Sequence, residues 1–403
     1  MGIKKAWDYL NCNQLLLQAG IRKRSGIPVN NLAFNYTTMP LIDAKSISKA
    51  SELVNNDKLL NALGLGYNQC TLNRFINARW DWTRLNELRV TALQQNSLTK
   101  ASVNGLLIID DTIIHKFGKC MENVEWVYDP TIPKSVLGYD LLVLHYVDDS
   151  KSYPISFAFK LKTNNRIQLA AELATRAVQL GVGTKYVTFD AFYFAVELIT
   201  SLDGLGLYWV TKSKSNRKFL LNGETVNARQ IIEQGIDEAT AWLPDYGEVK
   251  LVRAKINKDW HLLVTNDLDM PKEQVIKIYR KRFSIDNPFF RDSKQEVGLT
   301  NFHMRKFSGI VGHVAMTFLA WALLSVLKLL NRRLSSKTTG WIKEKFVQVV
   351  ARVRRTGRRI AIVLNKAHRW MRTILKPPPE SSSTPVRSNL DFVSGVNIAL
   401  QEL

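Results

Sequence analysis

Leu106-Leu107-Ile108-Ile109-Asp110-Asp111-Thr112 is an apolar run that ends on two carboxylates and a threonine. Four apolar residues, half of them β-branched, are too few for a helix of usual length and read as a strand. A strand covered on both faces shows no alternation, because every side chain meets packing. Acids at its carboxyl end sit where open α/β sheets place their chemistry. Taken alone, Asp110-Asp111 reads equally well as a polar turn with a capping or Asx role. Two further acidic sites decide between these readings.

Beyond this run, Gly138–Val147 and Tyr153–Leu161 read as strands. The turn Asp148-Asp149-Ser150-Lys151-Ser152 joins them as an antiparallel hairpin, with its acids solvated. A helix over about Gln168–Gly181 carries Leu169, Leu173, Ala177 and Leu180 on one face. Lys185-Tyr186-Val187-Thr188-Phe189-Asp190 is a second strand ending on a carboxylate, and Ala191-Phe192-Tyr193-Phe194 opens a helix through Leu198. This order predicts a ribonuclease H-like mixed α/β sheet with flanking helices. Its first and fourth strands lie side by side, so two acids far apart in sequence meet at one end of the sheet.

Residues 205–258 read as a β-rich insertion whose Lys212, Lys214, Arg217 and Lys218 cluster in a turn, basic enough to touch phosphates. Trp260–Asn266 returns to the main sheet. From Pro271, at a tolerated early position, a helix runs to Lys294. Tyr279, Arg282, Asp286 and Ser293 follow at steps of three, four and seven, which places them on one helix face. A solvated charged face is the plain alternative, but the neighbouring Ile285, Phe289 and Phe290 argue for a site wall.

With these residues in view, the chain resembles prokaryotic insertion-sequence transposases of the DDE superfamily, in the IS-four-like group. Asp110-Asp111-Thr112 matches the family's acid-x-Thr. Asp190-Ala191-Phe192-Tyr193 matches its acid, small residue and aromatics. Tyr279, Arg282, Asp286 and Lys294 match its Tyr-Arg-Glu-Lys series. The resemblance spans roughly residues 60–330. It implies Asp110, Asp190 and Asp286 as catalytic metal ligands, with Tyr279, Arg282 and Lys294 holding DNA phosphate. It selects Asp110 as the first ligand and leaves Asp111 to cap or orient. Glu296 is a rival third acid, and His115 and Lys116 are plausible neighbours of the site.

Two departures carry a structural expectation. Asp286 stands where the family has Glu, and Lys294 lies eight residues on, with Pro288 inside the extra length. A straight helix would turn Lys294 about 100° off the shared face. Pro288 lacks an amide donor and clashes with the carbonyl of Ser284. A kinked or bulged helix over 284–290 is therefore expected, restoring the register.

Three converging carboxylates cannot stay buried and charged without a cation. Hard oxygen ligands favour Mg²⁺ or Mn²⁺, and two ions would clamp an in-line displacement at phosphorus. The resemblance implies cleavage at element ends and transfer into target DNA, by a homodimer in the prokaryotic cytoplasm. The competing classes are a catalytically decayed DNA-binding relative and a structure-specific nuclease without strand transfer.

Composition agrees with a polyanionic partner. The 403 residues carry a net charge of +21 and a pI of about 9.8, which suits nucleic acid or an anionic surface. Cys12, Cys70 and Cys120 form no CxxC pair, so neither a zinc site nor a disulfide framework is expected and a reducing compartment fits. No signal peptide is read at the N-terminus. The apolar Ala315–Leu327 is shorter than a bilayer span and reads as a buried helix, so no membrane partner is expected.

The expected organisation is a helical, DNA-binding N-terminal domain over 1–100 and a catalytic domain over 101–330. A basic helical extension over 331–376 and a flexible tail over 377–403 follow. Arg74, Arg79, Arg84 and Arg89 interleave with Trp80 and Trp82 in the first part, as a DNA-facing or simply a solvated face. Residues 332–376 hold fourteen Lys/Arg against Glu344 alone, a polyphosphate footprint. The weaker alternative is a basic amphipathic membrane helix.

Overall fold

A computed structural model describes residues 2–56 and 68–348. The expected helix at Lys58–Leu63, most of the basic extension and the tail lie outside the described residues. The apolar run forms the start of β1 (Leu106–His115), whose Leu107, Ile108 and Ile109 are fully buried. Each such side chain stabilises the fold by roughly 1.5–3 kcal/mol. After β2 (Glu125–Asp129) comes the predicted hairpin, β3 (Lys134–Val147) and β4 (Ser152–Lys160). β5 (Tyr186–Phe189) and β6 (Tyr208–Lys212) complete the core strands.

β1 pairs antiparallel with β3 and parallel with β5, and β5 pairs parallel with β6. In space the core runs β4-β3-β1-β5-β6, the ribonuclease H-like order read from the sequence. The insertion strands β7 (Lys218–Leu221), β8 (Glu224–Asn227), β9 (Glu238–Leu243) and β10 (Gly247–Ile256) extend the same sheet through β11 (Asp259–Thr265). β6 lies within the 205–258 stretch yet is the fifth core strand, so the added strands begin after Lys212.

β1 does not stop at its acids. It continues to His115 against β3, while its parallel partner β5 ends at Phe189, opposite Ile109. The sheet therefore opens at Asp110 on the β5 side alone. Gly138 of β3 is needed for this long pairing, because a Cβ there would lie 2.4 Å from the carbonyl oxygen of Ile114.

Helix Arg166–Gln179, capped by Asn165, covers β3 and β4. Helix Lys272–Lys281 packs against β5, β6, β10 and β11. Residues 191–195 form a turn, and the helix expected to open at Ala191 begins at Val196. The apolar helix Phe307–Leu330 is long enough to cross a membrane, but 89% of its most apolar window is buried in the fold. It packs against β4 and the N-terminal helices, which share its core. His313 of this helix joins the two parts. Its Nε2 lies 2.9 Å from the carbonyl of Gly298, and Nδ1 lies 2.7 Å from the Tyr36 hydroxyl. Burial holds that imidazole down to about 4, so it is neutral, one nitrogen donating and the other accepting. Of the interleaved arginines, Arg89 is buried and donates to Asn86 and the Ile155 carbonyl, whereas Arg74, Arg79 and Arg84 are exposed.

Candidate active site

Successive strand residues point to opposite faces, so Asp110 and Asp111 part company. Asp110 Oδ2 lies 2.6 Å from Arg282 Nη1, on the face where the third acidic segment packs. The same guanidinium nitrogen is 3.9 Å from Asp286 Oδ2. Asp190 follows β5 directly, and its field reaches Tyr279, Arg282 and Asp286. The structure thus brings Asp110, Asp190 and Asp286 around one arginine.

The third segment is broken where Pro288 was expected to break it. Helix Lys272–Lys281 tightens to a 3₁₀ turn at Arg282–Ser284 and kinks within Ile285–Phe290 before a helix resumes at Arg291. Inside that stretch Asn287 leaves helical geometry at φ −140°, ψ 109°. The extra residue is absorbed there, and Lys294 Nζ lies 3.2 Å from the Ile113 carbonyl of β1. Tyr279 is buried beside Arg282, whose guanidinium carbon sits 5.8 Å from the Tyr279 ring and 4.7 Å from that of Phe283.

Burial raises two acids of the cluster. Burial pushes the Asp110 carboxyl up to about 7, helped by Asp286 and Asp111 and opposed by Arg282. Asp286 is also raised, by burial first and then by Asp190 and Asp111, against Arg282 and Lys294. Lys294 is lowered by burial, while Asp129 and Asp286 favour its charge. Tyr279 is pushed up to about 12 by burial and stays a neutral hydroxyl.

The Asp111 face has its own partners, which the sequence reading missed. Tyr193 donates to Asp111 at 2.5 Å. Arg166 lies 3.9 Å from Asp111 and pairs closely with the buried Asp140. Asp140 registers with Ile113 and so shares the Asp111 face. Tyr193 stood inside the second motif, but nothing local marked Arg166 or Asp140.

The other expected neighbours have partners of their own. Glu296 pairs with Lys343 at 3.4 Å. His115 pairs with Asp129 at 2.5 Å. Lys116 donates to the Thr300 and Phe302 carbonyls.

The donor set suits a hard divalent cation in kind, being carboxylate oxygens from three elements whose mutual repulsion a cation would relieve. Among the described residues no three His, Cys, Asp or Glu stand close enough to chelate one ion. Arg282 supplies positive charge between Asp110 and Asp286 instead.

Strand order and acid placement together define a ribonuclease H-like protein. Residues 102–323, more than half of the chain, match the family model described as the transposase DDE domain, and the chain belongs to that family. No curated protein matches the sequence. Among solved structures, a piggyBac transposase synaptic complex with hairpin DNA is 14% identical, with 97% of this chain and 86% of that chain covered and a TM-score of 0.46. A Drosophila P element transposase strand transfer complex is 10% identical, covering 58% and 54%, with a TM-score of 0.24.

Proposed function

We propose that this chain is a DNA transposase that cuts the ends of an insertion sequence and joins them to target DNA. The observation that supports this most is the gathering of Asp110, Asp190 and Asp286, from three separate elements, around Arg282. In this reading Asp110, Asp190 and Asp286 would draw together to hold Mg²⁺ or Mn²⁺, which would supply Lewis-acid chemistry for displacement at phosphorus.

The chain's own groups do the remaining work. Arg282, held against Asp110 and near Asp286, would bring positive charge to a phosphate at the acid cluster. Lys294 adds a point charge, and the Tyr279 hydroxyl a neutral donor on the same wall. Partners are the element's terminal inverted repeats and target DNA, engaged by a homodimer in the prokaryotic cytoplasm.

The test is incubation of the full chain with Mn²⁺ and linear DNA ending in the inverted repeats that flank its gene. Cleavage and joining, both abolished by Asp110→Ala and by Asp190→Ala, are expected. A second reading is a decayed relative that binds these ends without cutting. Arg282 lying on Asp110, and the shorter acid at 286, favour it. Retarded but uncut DNA in the same assay establishes that reading and ends the first.

A further inference from the structure

Phe192 lies two residues beyond Asp190 and is 53% exposed. Cations bracket it. The Arg166 guanidinium carbon is 4.7 Å from the ring centre and the Lys214 ammonium is 5.6 Å away. Beside it, Arg217 lies 4.7 Å over the Phe194 ring. Ala191, Phe194, Lys214, Asn216, Arg217 and Lys218 line one pocket of about 320 Å³, without an acid in its wall. Among the described residues, neither Lys214 nor Lys218 makes an ion pair with a carboxylate. Both lie between or at the ends of β6 and β7, and Ala191 directly follows Asp190. The cationic wall therefore begins at the acid cluster.

Lys214 and Lys218 without carboxylate partners at a pocket call for a polyanion, with Arg217 beside them under the field of Asp245, and an exposed ring calls for a flat partner. A DNA strand offers both, but only an unpaired base has a face to give, since duplex bases are already stacked. Arg166 is tied to Asp140 and stays in place, whereas Lys214 on its exposed stem can yield the ring to a base. We propose that Phe192, Lys214, Arg217 and Lys218 bind an unpaired stretch of DNA beside the acid cluster. The ring takes a base and the cations take flanking phosphates. This rests on the reading of the acids as a DNA-cutting site and names what holds the strand next to the cut.

The test is fluorescence anisotropy of the full chain in EDTA, with a labelled single strand of about 20 mixed nucleotides and with its duplex. Phe192→Leu is expected to weaken single-strand binding about fivefold or more and to leave duplex binding within about twofold. Phe192→Trp keeps single-strand binding. Lys214→Ala with Arg217→Ala weakens single-strand binding and lowers its salt slope by about 1–1.5. Unchanged single-strand affinity in Phe192→Leu, or an equal loss for both DNA forms, overturns the proposal. Because EDTA stops any cutting, the two readings fail separately. Cleavage in Mn²⁺ alongside an unaffected Phe192→Leu sinks only the strand site, and Phe192-dependent binding without cleavage sinks only the transposase.

Discussion

β1 carries two neighbouring aspartates, and its two faces treat them differently. On one face Asp111 accepts from Tyr193 and lies beside Arg166, which is itself committed to buried Asp140. On the other, Asp110 meets Arg282 and the half-exposed Asp286. Both faces combine carboxylates with an arginine. The first is closed by the Tyr193 and Arg166 contacts to Asp111, although among the described residues Arg166 Nε and Asp140 Oδ1 are buried there without partners. The second is open at Asp286, whose side chain is half exposed, and gathers a further acid there. The period of two along a strand separates these two faces, and residue type does not.

The sharpest way to break the comparison is to neutralise each acid in turn. Asp110→Asn is expected to lower cleavage in Mn²⁺ about a thousandfold or more, since a metal site supplies several kcal/mol to the transition state. Asp111→Asn keeps an acceptor for Tyr193 and should leave cleavage within about tenfold. Equal losses in both variants would dissolve the distinction between the faces.

Next in size is a stability effect confined to the closed face. Arg166→Met leaves Asp140, only 2% exposed, without its partner. Removing one member of a buried pair costs about 3–5 kcal/mol. The melting temperature should therefore fall by many degrees, and chemical denaturation should give the same loss. A variant as stable as the parent would mean that Asp140 is held some other way.

How far these faces could be read beforehand depends on how local their signals are. The buried start of β1 was legible from four consecutive apolar residues, and the core order from alternating strand and helix patterns. The break near 285–290 was legible too, because proline's missing donor acts within one turn. Arg166 was not. It lies 26 residues after Asp140 and opens an amphipathic helix, where an arginine ordinarily faces water. The continuation of β1 past its acids was hidden for a similar reason, since only the length of β3 and the early end of β5 determine where the sheet opens. The turn at 191–195 looked helical from its apolar residues, but Tyr193 is drawn to Asp111 and Phe192 is left outside.

A smaller effect is the pH dependence of the metal-free chain. The Asp110 carboxyl titrates near 7 in the fold and near 3.9 unfolded, so the native state binds the extra proton between those values. Its contribution to stability is complete below about pH 4 and is lost as pH rises through 7, a change on the order of 2–4 kcal/mol. Asp110→Asn should remove that slope, so that the difference in melting temperature between variant and parent in EDTA changes between pH 4 and pH 8. An identical slope in the variant would place the titrating group elsewhere.

The smallest expected change concerns the third acid on the open face. Asp286 is one methylene shorter than the glutamate of the family pattern, and its carboxylate stands 3.9 Å from Arg282 while remaining half exposed. Asp286→Glu lengthens the reach toward Asp110 without altering charge, and the kink at Asn287 already gives the backbone there an irregular path. If Asp286 is a metal ligand, the variant should bind Mn²⁺ about two- to tenfold more tightly, read by calorimetry on uncut protein, with cleavage rising in step. Asp286→Asn should move both quantities the other way. If instead the glutamate leaves Mn²⁺ affinity untouched while Asp286→Asn loosens Arg282 from its place, the residue serves as the arginine's counter-ion. The open face would then have only two acids for metal, Asp110 and Asp190, and the DNA-binding relative that does not cut would be the better description.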